Sequence, residues 1–474
     1  MGNPTGNNLL IISFDQWRGD WGNPLKPVIK LPTYEKIAEN GIILTRCYTN
    51  SPQCVPARFS WITGLEPSQT CITKNEDVSL PSDAPSIIRD LQKNGWYTSI
   101  VGKTHWSSHN KPRDIRVTKR LIHQLGFDDV LEIPGPRALR TIDCKITDHW
   151  KEEGYLEMQR KDLYRRYCGI EKALAWKRNE TILPNYLYPD IWLANQAVEK
   201  IEKLPERSPW LLWVSFVGPH EPFDTPHPWR GINKSNNLPA VIEKRLWINA
   251  LNHECQLKES EQKWKDLLTK QDIKELREDY ADHLCLLDEQ INKLINTLNK
   301  RPDSDNTTIL VMSDHGEMLG DGNMLYKGTF LESSIRVPFI LKQANSNKRS
   351  IQIKKPINLT GAFKSIILGL QKNNPSKSLR VYCRKRQNVV VEYNKERLYI
   401  HGNRKICTNS HGNILWATNI KKDPNEEINI AKSQKFQNNK KWHIIQEKAK
   451  KEDLKRARPE WIWRDLLKNS YDQI

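Results

Sequence analysis

The segment Cys54-Val55-Pro56-Ala57-Arg58-Phe59-Ser60-Trp61-Ile62-Thr63-Gly64 predicts a helix that begins at a cysteine and ends at a glycine. Proline is tolerated in a first helical turn, because its missing N–H group has no partner there, and glycine is typical just after a helix. Cys54 would lie where free N–H groups and the helix dipole attract anions. Arg58 adds planar donors suited to an oxyanion. The segment predicts a nucleophile in an anion site; a buried thiol near a surface arginine is the alternative.

Strands and helices alternate on both sides of this segment. Apolar runs at 9–14, 98–101, 210–216 and 308–312 predict buried strands, and 336–341 predicts another. Amphipathic spacing predicts helices near 33–39, 85–95, 191–201 and 280–298. This alternation predicts an α/β fold with a doubly wound, mostly parallel sheet flanked by helices.

The length of 474 residues allows one large domain and a smaller one. We assign residues 1–370 to an α/β catalytic domain, in which the irregular, charged span 110–189 is an insertion and candidate lid. Residues 371–474 form a basic C-terminal subdomain. Its short strands at 388–393, 398–401, 405–408 and 414–417 predict a small antiparallel sheet, followed by a closing helix.

Polar side chains directly follow four of the predicted strands. They are Asp15, Gln16, Lys103, His105, His220, Asp314 and His315. Ligands bind open α/β sheets at the carboxyl ends of the strands. Each residue alone fits a turn or a core histidine, but the recurrence predicts a site. Oxygens from Asp15, Gln16 and Asp314 with a nitrogen from His315 favour one divalent ion, Ca²⁺ or Mg²⁺, and the histidine also admits Mn²⁺.

Composition excludes several classes of protein. A hydrophobic content of 38% with 17 tryptophans supports a packed core, and no apolar run reaches the ~20 residues of a membrane helix. The start of the sequence lacks the basic flank and apolar core of a signal peptide. Nine cysteines without C-x-x-C spacing argue against a disulfide framework and a zinc ribbon. We therefore expect a cytoplasmic protein with no membrane partner.

The net charge of +18 is concentrated in the last third of the chain. From residue 341 onward, 30 lysines and arginines face 11 acidic residues. Such a skew raises binding to nucleic acid or another polyanion as a hypothesis. No zinc finger or aromatic-interleaved single-strand motif accompanies it, so we expect a solvated basic face and no specific nucleic-acid partner.

The Cys-x-Pro-x-Arg motif, followed by Thr-Gly, resembles the signature of the formylglycine-dependent (type I) sulfatases of the alkaline phosphatase superfamily. Ala57 stands where many members have serine. The resemblance implies an alkaline phosphatase-like fold and conversion of Cys54 to formylglycine by a formylglycine-generating enzyme. It also implies a metal ion, usually calcium, at Asp15, Gln16, Cys54, Asp314 and His315. Gln16 replaces the usual aspartate and removes one negative charge.

Further family positions lie in the motifs Gly-Lys-Thr-His, Pro-His-Glu-Pro-Phe and Tyr-Lys-Gly-Thr. They are Lys103, His105, His220 and Lys327. The resemblance implies that Lys103, Lys327 and Arg58 neutralise the oxygens of the transferred sulfuryl group. His105 would take a proton from the aldehyde hydrate. His220, with or without Lys327, would protonate the leaving alcohol.

The implied activity is hydrolysis of a small-molecule sulfate monoester. Two alternatives stay open. Asp15-Gln16-Trp17-Arg18 and the Cys-x-Pro-Ala-Arg form also resemble phosphonate monoester and phosphodiester hydrolases on the same scaffold. A polyanion-binding protein with a vestigial enzyme domain is the third reading, although binding alone does not require a nucleophile, metal ligands and an acid together. The alcohol part of the substrate and the existence of a homo-oligomer are left open.

Overall fold

The computed structural model describes residues 7–109, 113–168, 174–234, 236–265, 267–346, 349–386 and 388–456. Its strands, in chain order, are β1 (Asn8–Phe14), β2 (Gly41–Leu44), β3 (Cys47–Tyr48), β4 (Tyr97–Gly102), β5 (Arg113–Asp114), β6 (Asp129–Glu132), β7 (Ile142–Asp143), β8 (Trp210–Ser215), β9 (Thr307–Ser313), β10 (Arg336–Val337), β11 (Phe339–Lys342), β12 (Ile351–Ile353), β13 (Ile357–Asn358), β14 (Asn388–Tyr393), β15 (Glu396–His401), β16 (Arg404–Thr408) and β17 (Ile414–Asn419).

Helices connect most of these strands. They are α1 (Pro32–Glu39), α2 (Cys54–Thr63), α3 (Pro67–Thr70), α4 (Ile87–Lys93), α5 (Lys119–Gln124), α6 (Lys145–Glu152), α7 (Leu156–Cys168), α8 (Pro189–Lys203), α9 (Gln256–Trp264), α10 (Lys270–Asn299), α11 (Glu332–Ile335), α12 (Leu359–Leu370), α13 (Pro375–Lys385), α14 (Gln434–Gln437) and α15 (Lys440–Arg456). Among the described helices, none combines the length and apolar character needed to cross a bilayer.

The central sheet has eight strands in the order β12-β2-β11-β9-β1-β8-β4-β6. Strands β9, β1, β8, β4 and β6 run parallel to one another, and β12 runs parallel to β2, whereas β11 pairs antiparallel with β9 and β2. Because side chains alternate along a strand, β1 sends Leu10, Ile12 and Phe14 into one buried cluster and Leu9 and Ile11 into the other. Helices cover both clusters, so the predicted α/β class and the mostly parallel sheet are confirmed.

The predicted strand at 336–341 is divided in the structure. Arg336–Val337 pairs with β3 in a separate three-stranded sheet, and Phe339–Lys342 joins the central sheet. Pro338 lies between the two pieces. Proline has no N–H group to donate to a strand partner, which explains the break.

The span 110–189 is less separate from the sheet than the sequence suggests. It supplies β6, the edge strand beside β4, with paired residues Ser99–Asp129 to Gly102–Glu132. The strand is short and carries two acids, and only Val130 and Glu132 are buried, so its sequence gives a weak strand signal. The rest of the described span contains the short β5–β7 pair, the helices α5, α6 and α7, and 3₁₀ turns.

The predicted small antiparallel sheet is present as β14-β15-β16-β17. It has its own apolar cluster with helix α15, which includes Val390, Tyr399 and Trp442. Helix α13, which we assigned to the C-terminal subdomain, instead packs on the catalytic-domain core through Leu379 and Cys383. The other face of the small sheet, which includes Val389, Leu398 and Trp416, belongs to the same apolar cluster as Leu10 and Ile12 of β1.

Candidate active site

The predicted strand-end residues meet at one edge of the central sheet. Strands β9, β1, β8 and β4 are consecutive neighbours in that sheet. Asp314 and His315 follow β9, Asp15 follows β1, His220 follows β8 by a short turn, and Lys103 follows β4. The parallel topology thus brings together residues separated by some 300 positions in the chain.

Cys54 is the first residue of α2, as predicted, and Gly64 ends that helix in the left-handed conformation at φ 68°. Asn75 Oδ1 accepts a hydrogen bond from Val55 N at 3.0 Å, so a distant side chain satisfies one of the free donors of the first turn. The thiol is buried; its Sγ lies 3.1 Å from His315 Nε2 and 3.7 Å from Asp15 Oδ1. Burial and Asp15 raise the pKa of Cys54, but Lys103, Lys327 and His315 outweigh them and bring it to about 5.

Asp15, Cys54, Asp314 and His315 form a compact group that could hold a metal ion. One ligand atom from each lies within 4.8 Å of the others, and all four side chains are buried. His315 Nδ1 contacts the carbonyl oxygen of Gly316 at 3.0 Å. A carbonyl can only accept, so Nδ1 carries a hydrogen. Burial lowers the pKa of His315, but Asp314 outweighs it and raises that pKa above its ordinary value. A bound cation would take the Nε2 lone pair in place of a proton. Two buried carboxylates and this lone pair suit a divalent cation.

Gln16 has other partners in this structure. Its Oε1 accepts a hydrogen bond from Lys327 Nζ at 2.6 Å, and its Nε2 donates to Glu221 Oε2 at 3.2 Å and to Glu317. Its backbone N–H donates to Asp314 Oδ1 at 3.0 Å. The side-chain oxygen expected on the metal therefore orients Lys327 here, and metal ligation by Gln16 stays a prediction.

Arg58 lies behind the carboxylates and not in the pocket. Its Nε donates to Asp314 Oδ2 at 2.8 Å, and Nη1 donates to the carbonyl of Lys103 at 2.7 Å and to Ser215 Oγ at 3.0 Å. Nη2 lies 3.8 Å from Asp15 Oδ2 and has no hydrogen-bond partner in the described part of the chain. The donor type was predicted from the motif, but the direction of the guanidinium depends on packing.

Lys103 forms an ion pair with Asp15. Burial raises the pKa of Asp15, but Lys103 first, then His220, Lys327 and Arg58, hold it well below its ordinary value. Asp15 is therefore ionised, and the metal group carries negative charge while the lysines beside it carry positive charge. This arrangement separates a cation site from an adjacent anion site.

A cavity of about 490 Å³ opens above Cys54. Besides Cys54, its lining includes four of the predicted residues, and these are Lys103, His105, His220 and Lys327. The ring of His105 stacks on that of His109, with centroids 4.7 Å apart and planes at 7°. Burial, and then Lys103, hold the pKa of His105 well below its ordinary value. Its imidazole is therefore neutral and able to accept a proton.

His220 is oriented by the residue that follows it. Its Nδ1 lies 2.9 Å from the Glu221 carbonyl, so Nδ1 carries the hydrogen and Nε2 is free to gain or lose a proton. Burial, and then Lys327, hold the pKa of His220 well below its ordinary value. Without an anion in the cavity, His220 is neutral.

Sequence reasoning missed several residues of the cavity. Glu221 follows His220 directly, and His109 lies four positions after His105, so proximity in sequence could have indicated both. Arg137, Arg140 and Lys263 also line the cavity. They come from a 3₁₀ segment and from α9, far from any predicted strand end, and no local pattern indicates their position.

Comparison with known proteins finds a matching family profile and relatives that are named as sulfatases. A profile described as Sulfatase matches residues 7–367. An arylsulfatase of Clostridium perfringens is 24% identical over 458 residues, which cover 90% of this chain and 91% of that protein. A choline-sulfatase of Rhizobium meliloti is 27% identical over 341 residues, 70% of this chain and 62% of that protein.

A solved phosphonate monoester hydrolase from Silicibacter pomeroyi has the same fold. It superposes with a TM-score of 0.73 at 17% identity and covers 95% of this chain and 96% of its own. At 17% identity this similarity shows a shared fold and does not identify the ester that is hydrolysed.

Proposed function

Because the chain belongs to the sulfatase family of the alkaline phosphatase superfamily, and is a sulfuric ester hydrolase, we propose that it cleaves a sulfate monoester through a formylglycine formed from Cys54 and one divalent metal ion. The observation that supports this is the position of Cys54. It lies at a helix N-terminus between a buried group of potential metal ligands and a cavity whose lining includes three lysines and three histidines.

Asp15, Asp314, His315 and the residue at 54 would hold the ion, with Gln16 as the further predicted ligand. Calcium is the first candidate and Mn²⁺ and Mg²⁺ are the others, since the donors are mostly oxygens with one imidazole nitrogen. The ion would supply positive charge beside the nucleophile and the sulfuryl oxygens. Arg58 serves as a positioning residue for Asp314, because its Nε holds Oδ2 at 2.8 Å.

The formylglycine hydrate would supply a hydroxyl nucleophile for attack on sulfur and a second hydroxyl that allows sulfate to be expelled. Lys103 and Lys327 would bind the sulfuryl oxygens, since both line the cavity beside Cys54. His105 would take the proton from the hydrate. Its pKa lies well below the ordinary value because of burial and Lys103, so it is in the basic form at neutral pH.

His220 would protonate the leaving oxygen through Nε2. It is neutral in the empty cavity, because burial and Lys327 lower its pKa. A bound sulfate ester adds negative charge beside the ring, and negative charge raises the pKa of a histidine. Substrate binding therefore favours the acid form of His220 in the complex, where it is needed.

Maturation would require a formylglycine-generating enzyme as a transient partner. All nine cysteines are free thiols, and this supports a reducing, cytoplasmic location in which Cys54 stays available for conversion. Aryl sulfates and choline sulfate are the first substrates to test, because one relative is named an arylsulfatase and another a choline-sulfatase. A homo-oligomer remains open to measurement.

The test combines mass analysis of the peptide carrying residue 54 with kcat/KM on matched sulfate and phosphonate monoesters. We expect formylglycine at position 54, sulfate as the preferred substrate, and no activity for Cys54→Ala. Cys285→Ala is the matched control, because this thiol is only partly buried and lies outside the cavity. Activity with an intact Cys54 thiol contradicts the mechanism. A preference for phosphonate esters moves the assignment to the alternative hydrolase.

A further inference from the structure

The outer part of the cavity carries more positive charge than the sulfuryl group requires. Five cationic side chains line the cavity, and these are Lys103, Arg137, Arg140, Lys263 and Lys327. Two acidic residues line it, Glu76 and Glu221. Lys103 and Lys327 belong to the sulfuryl site described above. Arg137, Arg140 and Lys263 remain, and we call these three residues the cationic rim.

Two members of the cationic rim are held in place by the same aromatic ring. The guanidinium carbons of Arg137 and Arg140 lie 5.1 and 5.6 Å from the centroid of Tyr167. Arg140 Nε also donates to the carbonyl of Arg137 at 2.7 Å. Stacking on an aromatic face restricts an arginine without using up its donors. The two guanidiniums are therefore pre-organised at the mouth of the cavity.

The third member of the cationic rim comes from helix α9, which is distant in sequence from the two arginines. Lys263, on α9, lies 5.4 Å from the ring centroid of Trp264, which packs edge-on against Tyr326 of the cavity wall. Burial lowers the pKa of Lys263 and Arg137 lowers it further. The ammonium group and the guanidinium of Arg137 line the same cavity, where their like charges repel each other. Like charges held together favour an anion between them.

The acids of the cavity neutralise the cationic rim only in part, through the ion pair between Glu221 and Arg137. Glu221 is buried and shared among Arg137 at 3.3 Å, His220 Nδ1 at 3.0 Å and Gln16 at 3.2 Å. Glu76 is exposed to solvent. A cavity of about 490 Å³ is also much larger than a sulfuryl group, so the alcohol part of the substrate would occupy the space between Cys54 and the rim.

We propose that the cationic rim is a second anion-binding subsite, and that the substrate is a sulfate ester whose alcohol part carries another anionic group, either a carboxylate or a second sulfate. This inference rests on the proposed sulfatase function and specifies its substrate class. It also predicts discrimination against sulfate esters of cationic alcohols, because the rim would repel their charge.

The experiment compares aryl sulfates that carry a carboxylate at ring position 3 or 4 with the matching carboxamides, which have the same size and no charge. The measured quantity is the ratio of kcat/KM, carboxylate over carboxamide. We expect a ratio of about tenfold or more for at least one position in the wild type, because a charge-assisted hydrogen bond contributes about 1.5–3 kcal/mol and 1.4 kcal/mol corresponds to tenfold. Esters of quaternary-ammonium alcohols should be poorer than neutral ones.

Arg140→Gln and Lys263→Gln are the test variants, because neither removes the ion pair between Arg137 and Glu221. Each should lower the ratio, mainly through KM. Arg165→Gln is the matched control, since Arg165 is exposed on α7 and lies outside the cavity; it should keep the wild-type ratio. A disulfated and a monosulfated sugar of the same skeleton form a second pair, which separates a second sulfate from a carboxylate as the recognised group.

A ratio near one for every pair, with sulfate esters still hydrolysed, overturns the subsite and leaves the proposed function intact. An unchanged ratio in both variants also overturns it, because another element would then provide the preference. If no sulfate ester is hydrolysed while phosphonate esters are, the proposed function fails and the inference fails with it.

Discussion

The ionisation of Cys54 illustrates the charge arrangement around a single residue. Burial and the Asp15 carboxylate both oppose a thiolate, yet Lys103 and Lys327 bring the pKa to about 5. The same lysines would stabilise any anion at this position, including a sulfuryl group. On the side of the potential metal ligands, His315 Nε2 lies 3.1 Å from Cys54 Sγ and 3.5 Å from Asp15 Oδ1. Cys54 thus lies at the boundary between the anion site and the cation site.

We expect the effect of His220→Ala on kcat to depend on the leaving group of the substrate. Substrates with poor alkoxide leaving groups should lose about 100-fold or more in kcat, because general acid catalysis contributes at least that much, whereas activated aryl sulfates should lose little. In the wild type the kcat for poor leaving groups should fall as pH rises through the pKa of His220 in the complex, since the acid form is lost. The measurement is kcat against pH for both classes of ester. Equal losses for both classes would contradict the acid role.

Asp314→Asn should remove metal and activity together. The substitution keeps an oxygen that can accept from the backbone N–H groups of Gln16 and His315, at 3.0 and 2.8 Å, so the turn is preserved. It removes a charge from the metal group, which lowers affinity for a divalent cation. Metal content by elemental analysis and kcat/KM should fall in parallel. Full activity in metal-free protein would contradict the site. Ser313, whose Oγ accepts from Trp17 N at 2.9 Å, offers the control Ser313→Ala.

At the scale of elements, β16 is attached to the catalytic domain through a buried lysine. Lys405 Nζ donates to the carbonyl of Phe330 at 2.7 Å, to Glu332 at 3.2 Å and to Glu426 at 2.5 Å. The lysine is fully buried. Burial raises the pKa of Glu332, but Lys405, Arg336 and Arg46 outweigh it and hold that pKa below its ordinary value.

We therefore expect Lys405→Met to destabilise the protein by about 3–5 kcal/mol, because it removes the cation that pairs with the buried Glu426 carboxylate and with the partly buried Glu332. In the wild type, the contribution of Glu332 is full above the pKa of the unfolded chain and is lost as pH falls through the lower folded pKa. The deficit of the variant should shrink in acid, where the carboxylates are protonated. Thermal melts at several pH values measure this. Lys395→Met is the control, and a similar loss there would contradict the account.

The elements that can be predicted from the sequence are those with a clear local pattern of apolar residues. Strands β1, β8 and β9 are runs of six or seven buried residues, and the sequence predicts them together with the site residues at their ends. Edge strand β6 was missed because it buries only alternate residues. The partners of Arg58 and Gln16, and the position of Arg137 and Lys263 on the cavity, depend on packing between elements distant in sequence. No spacing in the chain carries that information.

At the scale of the whole molecule, charge is divided between the two ends of the chain. The excess of 19 positive charges from residue 341 onward leaves the first 340 residues close to neutral. In the described part of the chain, part of this charge lies on exposed side chains at the end of α13, at Arg384, Lys385 and Arg386. These groups lie outside the cavity, so they do not contribute to substrate binding there.

We expect this basic surface to act as a solvated electrostatic surface, so that any DNA binding by it does not read sequence. Two DNA duplexes of unrelated sequence should have dissociation constants equal within about twofold, and affinity should fall steeply between about 50 and 200 mM salt, since binding of this kind is driven by counterion release. Replacing Arg384, Lys385 and Arg386 with glutamine should reduce the slope of log K against log salt by up to about three, while Arg120→Gln, an exposed arginine of the near-neutral part, should change affinity much less. Fluorescence anisotropy on the intact protein provides these slopes. A preference of tenfold or more for one duplex at physiological salt would contradict the prediction, because base readout requires directed contacts in a groove and a diffuse positive surface supplies none.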